Sequence, residues 1–219
     1  MSDPGDRHKG QPILRAGAEL ETADAAVIML HGRGASASDI LSLSDAFDRP
    51  DLAYLAPQAA GNSWYPERFL VSIEENEPDR TSALRLIADL IGHLITHDIT
   101  PDRTVLLGFS QGACLALEFA ARHPDRYGAV IALSGGLMGE TIDTGDYTGS
   151  LEATPVFLGS SDVDPHIPVD RVAASAAVMD ALHGAVIEQI YPGLGHTVNN
   201  DEIVHIKRFL ADMAPLSSG

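Results

Sequence analysis

Apolar residues follow two alternating patterns along this chain: short continuous runs, and longer stretches with a period near 3.6. The runs "AAVIMLHG" (25–32), "LAYLAPQ" (52–58), "TVLLGFS" (104–110), "GAVIALSG" (128–135), "TPVFLGSS" (154–161) and "AVIEQIY" (185–191) have the length and boundaries of strands. The periodic stretches predict helices. One runs from Ala37 to Phe47, and a second from Ser82 to Ile95, with Leu84, Ile87, Ile91, Leu94 and Ile95 on one face. A third runs from Gln111 to Arg122, ahead of Pro124. Two more lie near 169–183 and 201–213, the last with Ile203, Ile206, Leu210 and Met213 in a stripe. Strands apolar on both faces, alternating with helices, predict an α/β fold: a mainly parallel central sheet with helices on both faces. Such sheets carry their sites at the carboxyl ends of the strands.

The chemistry therefore belongs after those runs. Gly108-Phe109-Ser110-Gln111-Gly112 matches G-x-S-x-G, with a predicted strand before it and a helix after it. A serine on so tight a strand-to-helix turn needs neighbours without bulk, and the helix N-terminus aims free N–H groups at any negative charge beside it. A serine N-cap between two glycines is the plainer reading, but the flanking pattern favours a nucleophile. Serine is a weak nucleophile at neutral pH and needs a base and a group to orient that base. In chain order these follow as Asp or Glu, then His. "YPGLGHTVNN" offers His196, and "FLGSSDVDPHIP" offers Asp162 and Asp164, each in a loop after a predicted strand. Nothing in the spacing chooses between the two aspartates.

Five blocks, "LHGRGAS", "PQAAGNSWYP", "GFSQGACLAL", "SDVDPHIP" and "GLGHTV", span residues 30 to 198. In this order they resemble the phospholipase/carboxylesterase family of small α/β-hydrolases, relatives of acyl-protein thioesterases and dienelactone hydrolases. The resemblance implies the α/β-hydrolase fold and a Ser110–Asp164–His196 triad. Its acid stands ahead of a Pro-x-(Val/Ile)-Pro run, which selects Asp164. It also implies an oxyanion hole from the backbone N–H groups of Gln111 and Arg33. His166 departs from the apolar residue usual at its position and is either pocket-lining or an exposed loop residue. Residues 57 to 80, the longest stretch without clear periodicity, hold Trp64 and Tyr65, with Phe69 nearby; the family's counterpart borders the substrate pocket. Trp64 and Tyr65 are accordingly expected at the substrate, with anchoring of the loop by Trp64 as the alternative. The Arg33 guanidinium is read as reaching either an acidic substrate group or solvent.

Composition narrows the picture. With 219 residues, 45% of them hydrophobic, a single domain over 1–219 is expected, with a flexible polar N-terminus over 1–10. The formal net charge of −17, from 31 acidic against 14 basic residues of which only Lys9 and Lys207 are lysines, argues against nucleic acid as a partner. It also suits a high-salt milieu. No run approaches the roughly 20 apolar residues of a membrane span, and the polar start carries no apolar signal core. With the lone Cys114, these features predict a cytoplasmic protein without a disulfide framework. Cys114 itself reads as core packing. His93 and His97, spaced i, i+4, read as a solvated helix face rather than a metal site, and neither lysine lies in a P-loop.

From "LSGG" to the strand near Thr154 there are only about eighteen residues, too few for a lid domain. The expectation is a carboxylic ester hydrolase for short to medium acyl chains, needing no metal or organic cofactor, with a small-molecule ester as its partner. A homodimer is suggested only by analogy. Thioesterase, lysophospholipase and dienelactone-type activities remain alternatives, as does a non-catalytic binding protein on the same fold.

Overall fold

The computed structural model describes residues 6–213. Seven strands form one sheet: β1 (Ile13–Gly17), β2 (Ala26–Leu30), β3 (Ala53–Pro57), β4 (Thr104–Phe109), β5 (Ala129–Leu133), β6 (Pro155–Ser161) and β7 (Ala185–Tyr191). Their spatial order is β1-β3-β2-β4-β5-β6-β7. Every neighbouring pair is parallel except β1 with β3, where Ile13 faces Pro57 and Gly17 faces Ala53. This edge strand was not expected, because the short mixed segment "ILRAG" carries no apolar run of its own. Its pairing with buried β3 defines it.

Among the described residues, five α-helices cover the sheet: α1 (Ala37–Leu41), α2 (Asp79–Ile95), α3 (Gln111–Arg122), α4 (Val169–Ala181) and α5 (Asn200–Ala211). Side chains alternate across a strand, and here they feed two cores. Ile28, Leu30, Leu106, Val130 and Leu158 pack with Ile87, Leu94, Leu115 and Val178, which come from α2, α3 and α4. Val27, Met29, Leu107, Ile131 and Phe157 pack with Ile40, Ile206 and Leu210, which come from α1 and α5. The chain thus adopts an α/β-hydrolase architecture, with helices on both faces of a mainly parallel sheet.

Two expectations are corrected. The helix predicted over Ala37 to Phe47 stays α-helical only to Leu41 and continues as a 3₁₀ turn over Ser42–Ala46. Ser42 Oγ donates to Asp39 O and Ser44 Oγ donates to Leu41 O, both at 2.7 Å, so serine hydroxyls compete for carbonyls of the helical ladder. The N-terminus, expected to be flexible over 1–10, is anchored at His8, with Arg7, Lys9 and Gly10 exposed; residues 1–5 lie outside the described residues. His8 is fully buried, and its backbone N–H donates to Ser82 Oγ on α2. Among the described residues no helix is long and apolar enough to cross a membrane.

The strand order also locates the site. The chain turns one way from β2 to β3 and the other way from β4 to β5, so the loops after β2 and β4 diverge and leave a crevice at their carboxyl ends. Ser110 stands at that switch point.

Candidate active site

Strand β4 ends at Phe109 and helix α3 begins at Gln111, so Ser110 alone makes the turn, at φ 55° and ψ −118°. A non-glycine residue there is strained, at roughly 1–3 kcal/mol, and the surroundings enforce it. A Cβ on Gly108 would stand 2.2 Å from Gly112 O, and one on Gly112 would stand 2.1 Å from Leu30 O. The two glycines let α3 sit directly on the ends of β4 and β2. The Ser110 N–H donates to Leu133 O at 2.9 Å and its carbonyl accepts from Cys114 N at 3.0 Å. With the backbone satisfied, the hydroxyl projects from the turn.

The loops after β6 and β7 bring a carboxylate and an imidazole to that hydroxyl. His196 Nε2 lies 2.8 Å from Ser110 Oγ, and its Nδ1 lies 2.7 Å from Asp164 Oδ2. An ionised carboxylate only accepts. Nδ1 therefore carries the proton, and Nε2 is left to accept from the serine. The Asp164 side chain is fully buried, and its Oδ1 also accepts from the N–H groups of His166 (2.8 Å) and Ile167 (3.2 Å), an Asx turn that fixes the carboxylate. Asp162 bonds elsewhere. Its Oδ1 accepts from Gly193 N at 2.7 Å, tying the two loops together, and Ser161 Oγ accepts from Gly195 N at 3.0 Å. The His196 ring sits between Phe109 and His166, with centroids 5.0 and 4.8 Å away.

Two clefts meet at Phe109 and His196, and the first of them also reaches Ser110. One, of about 340 Å³, is walled by Tyr65, Phe69, Cys114 and Ile167, with Arg33, Arg68 and His166 also lining it. The other, of about 480 Å³, is walled by Ile40, Leu43 and Val198, with Asp39 and Thr197. Burial pushes the Cys114 thiol up to about 11, which leaves it protonated at neutral pH.

The model of the phospholipase/carboxylesterase family matches residues 16–214. The chain belongs to that family. A phospholipase/carboxylesterase from Dyadobacter fermentans superposes with a TM-score of 0.88 at 39% identity, covering 92% of this chain and 97% of the other. Acyl-protein thioesterase 1 of Saccharomyces cerevisiae is 28% identical over 90% of this chain and 96% of its own length. A probable carboxylesterase of Arabidopsis thaliana is 25% identical over 88% of this chain and 80% of its own. The protein is thus a carboxylic ester hydrolase of the phospholipase/carboxylesterase family.

In this family member the loop after β3 is organised from beneath. Trp64 was expected at the substrate; instead its ring is fully buried and does not line either cleft. Its Nε1 donates to His31 O at 2.8 Å, and His8 and His31 flank it with centroids 5.4 and 5.0 Å away. An indole of this size gains most by burial when its N–H finds an acceptor, which the strand end supplies. Both histidines accept from the same loop, His31 Nε2 from Ala59 N and His8 Nδ1 from Ala60 N, each at 3.1 Å. Burial lowers the pKa of both, in keeping with their neutral, accepting form.

Tyr65 and His166 do line the cleft. The Arg33 guanidinium, exposed to solvent, also donates to Pro66 O and Glu67 O and lies 5.8 Å from the Tyr65 ring centroid, so it ties the loop as well. Gln111 ties the same loop to the elbow: Oε1 accepts from Trp64 N and Nε2 donates to Tyr65 O. Among the described residues, the backbone N–H groups of Gln111 and Arg33 have no protein acceptor. Asp162, read as a loop residue if Asp164 is the acid, ties the two loops; the supporting roles of His8, His31 and Ser161 were not foreseen, and His8 lies outside every motif.

Proposed function

We propose that Ser110 is the nucleophile, His196 its general base and Asp164 the group that orients and stabilises the histidine. The continuous chain of contacts, Ser110 Oγ to His196 at 2.8 Å and His196 to Asp164 at 2.7 Å, on a strained elbow, carries this reading. His196 Nε2 takes the Ser110 proton as Oγ attacks the ester carbonyl. The N–H groups of Gln111 and Arg33 receive the developing oxyanion, at the N-terminus of α3 where the helix dipole favours negative charge. The intermediate collapses, His196 returns the proton to the leaving oxygen, and an acyl-enzyme remains. A water deprotonated by His196 then attacks that acyl group and releases the acid and free Ser110.

The preferred substrates are soluble esters with acyl chains of about two to eight carbons: each buried methylene contributes about 0.8 kcal/mol, and the open cleft covers only part of a longer chain. The yeast relative's name places thioesters in the test as well. A fluorophosphonate probe should label Ser110 and no other residue, and Ser110→Ala should abolish the label. Across p-nitrophenyl esters, kcat/KM should peak at or below about eight carbons, with no jump as longer members form micelles. A maximum at twelve to sixteen carbons, or interfacial activation, would replace this reading with a lipase-like one.

A further inference from the structure

The two clefts that meet at His196 differ in charge. In a chain with 31 acidic and 14 basic residues, a surface cleft is expected to hold carboxylates. The cleft walled by Tyr65, Phe69 and Ile167 is lined by Arg33 and Arg68 and by no aspartate or glutamate, whereas the opposite cleft holds Asp39 and no arginine.

Arg33 and Arg68 of the first cleft have no carboxylate partner, a feature shared outside it by Arg15, Arg126 and Arg208 among the described residues, whereas five arginines elsewhere have one. Arg7, Arg49, Arg80, Arg85 and Arg122 all face carboxylates. Arg33 instead donates to the carbonyls of Pro66 and Glu67, and Arg171, 5.9 Å from the Phe69 ring centroid, donates to the carbonyls of Leu137, Gly139 and Glu140. Carbonyl acceptors fix a guanidinium without cancelling its charge. Arg68 is exposed, and among the described residues its guanidinium has no protein partner. The nearest carboxylate in the mechanism, Asp164, is buried behind His196 and bonded to it. Uncompensated positive charge beside low-dielectric aromatic walls focuses the field on anions.

We infer that the substrate is an ester bearing a second, anionic group, a carboxylate, seated against Arg68 and Arg33, with its uncharged end towards Ile40, Leu43 and Asp39. Arg68 is then a specificity-determining residue, and Arg33 serves twice, through its backbone at the oxyanion and through its charge at the anion. The inference rests on Ser110 hydrolysis as proposed above and adds the substrate class.

Two matched pairs of esters test it on the full chain. p-Nitrophenyl hemiglutarate against p-nitrophenyl valerate puts the carboxylate on the acyl side. 4-Acetoxybutanoate against butyl acetate puts it on the alcohol side. In at least one pair the anionic member should have a kcat/KM about tenfold higher at low salt. That ratio should shrink between about 0.1 and about 1 M salt, as the screening length falls from ~10 to ~3 Å. Arg68→Gln should bring the ratio near one, and Arg68→Lys should keep part of it. A ratio taken within each variant is insensitive to altered folding or active fraction. Equal or better hydrolysis of the neutral member in both pairs, or an unchanged ratio in Arg68→Gln, overturns the anion inference and leaves the hydrolase reading intact. Failure of Ser110 to react with the fluorophosphonate removes the hydrolase reading first.

Discussion

The elbow around Ser110 and the two loops that face it are built on different principles. The elbow is set by what is missing: without side chains on Gly108 and Gly112, backbone meets backbone and the serine is forced to φ 55°. The facing loops are set by what is present. Oxygens of Ser161, Asp162 and Asp164 each accept backbone N–H groups and so fix where His196 stands. Ser110 is therefore sensitive to added atoms, and the loops that hold Asp164 and His196 are sensitive to lost oxygens.

The largest expected effect removes the common point of the two regions. Ser110→Ala should retain the wild-type Tm and lose about 10⁶-fold in kcat; a variant keeping a tenth of wild-type kcat would falsify the assignment. In the facing loops, Asp164→Asn should cost about 10⁴-fold in kcat, because it alters the proton position on His196. Asp162→Asn should cost no more than about 10²-fold, through displacement of the His196 loop. If Asp162→Asn is the more damaging of the two, the acid has been misassigned.

Steric breakage of the elbow comes next. Gly112→Ala should lower stability by about 3 kcal/mol or more, since its Cβ has no space beside Leu30 O. Gly193→Ala, in the His196 loop at φ 68° with nothing within 4 Å of the added Cβ, should cost only about 1 kcal/mol. Denaturant midpoints of the two variants measure the difference. Equal losses would show that backbone strain, not close packing, governs both regions.

The smallest effect is a pH dependence of opposite sign in two places. His8 and His31 titrate near 6.5 when unfolded and lower when folded, because burial disfavours the cation. Their contribution is present above about 6.5 and is lost as pH falls through their folded values. Glu202, buried behind the His196 loop with Oε2 accepting from Asn199 N, is pushed by burial from 4.5 up to about 7. Its contribution is present below 4.5 and lost as pH rises through about 7. Glu202→Gln should therefore raise Tm relative to wild type at about pH 8 and change it little at about pH 5. A uniform shift at both values would remove titration as the cause.

Much of this was legible in local order. The six parallel-sheet strands, the start of α3 at Gln111 and its end at Arg122 follow from apolar runs, from Pro124 and from glycine spacing, all interactions within a few residues. The helix after β2 was less legible, because serines at 42 and 44 favour their own carbonyl contacts over the ladder. Strand β1 was invisible, since its pairing partner lies some forty residues along the chain in β3.

By itself the sequence determined the alternation of strands and helices, the tight turn at Ser110, and the loops in which an acid and a base would stand. Those features depend on periodicity, backbone sterics and chain order. Tertiary structure showed that Asp164, the acid the family resemblance implies, reaches His196 while Asp162 pins Gly193; the two aspartates are two residues apart, and only the turn after β6 separates their directions. It decided that Trp64 is buried between two histidines while Tyr65, its neighbour, faces the cleft. It also gathered Arg33 and Arg68 in the cleft that Ser110 lines. The decisive contacts join residues 86 and 32 positions apart, and such pairings are set by how the sheet and its helices pack, not by any window of the chain.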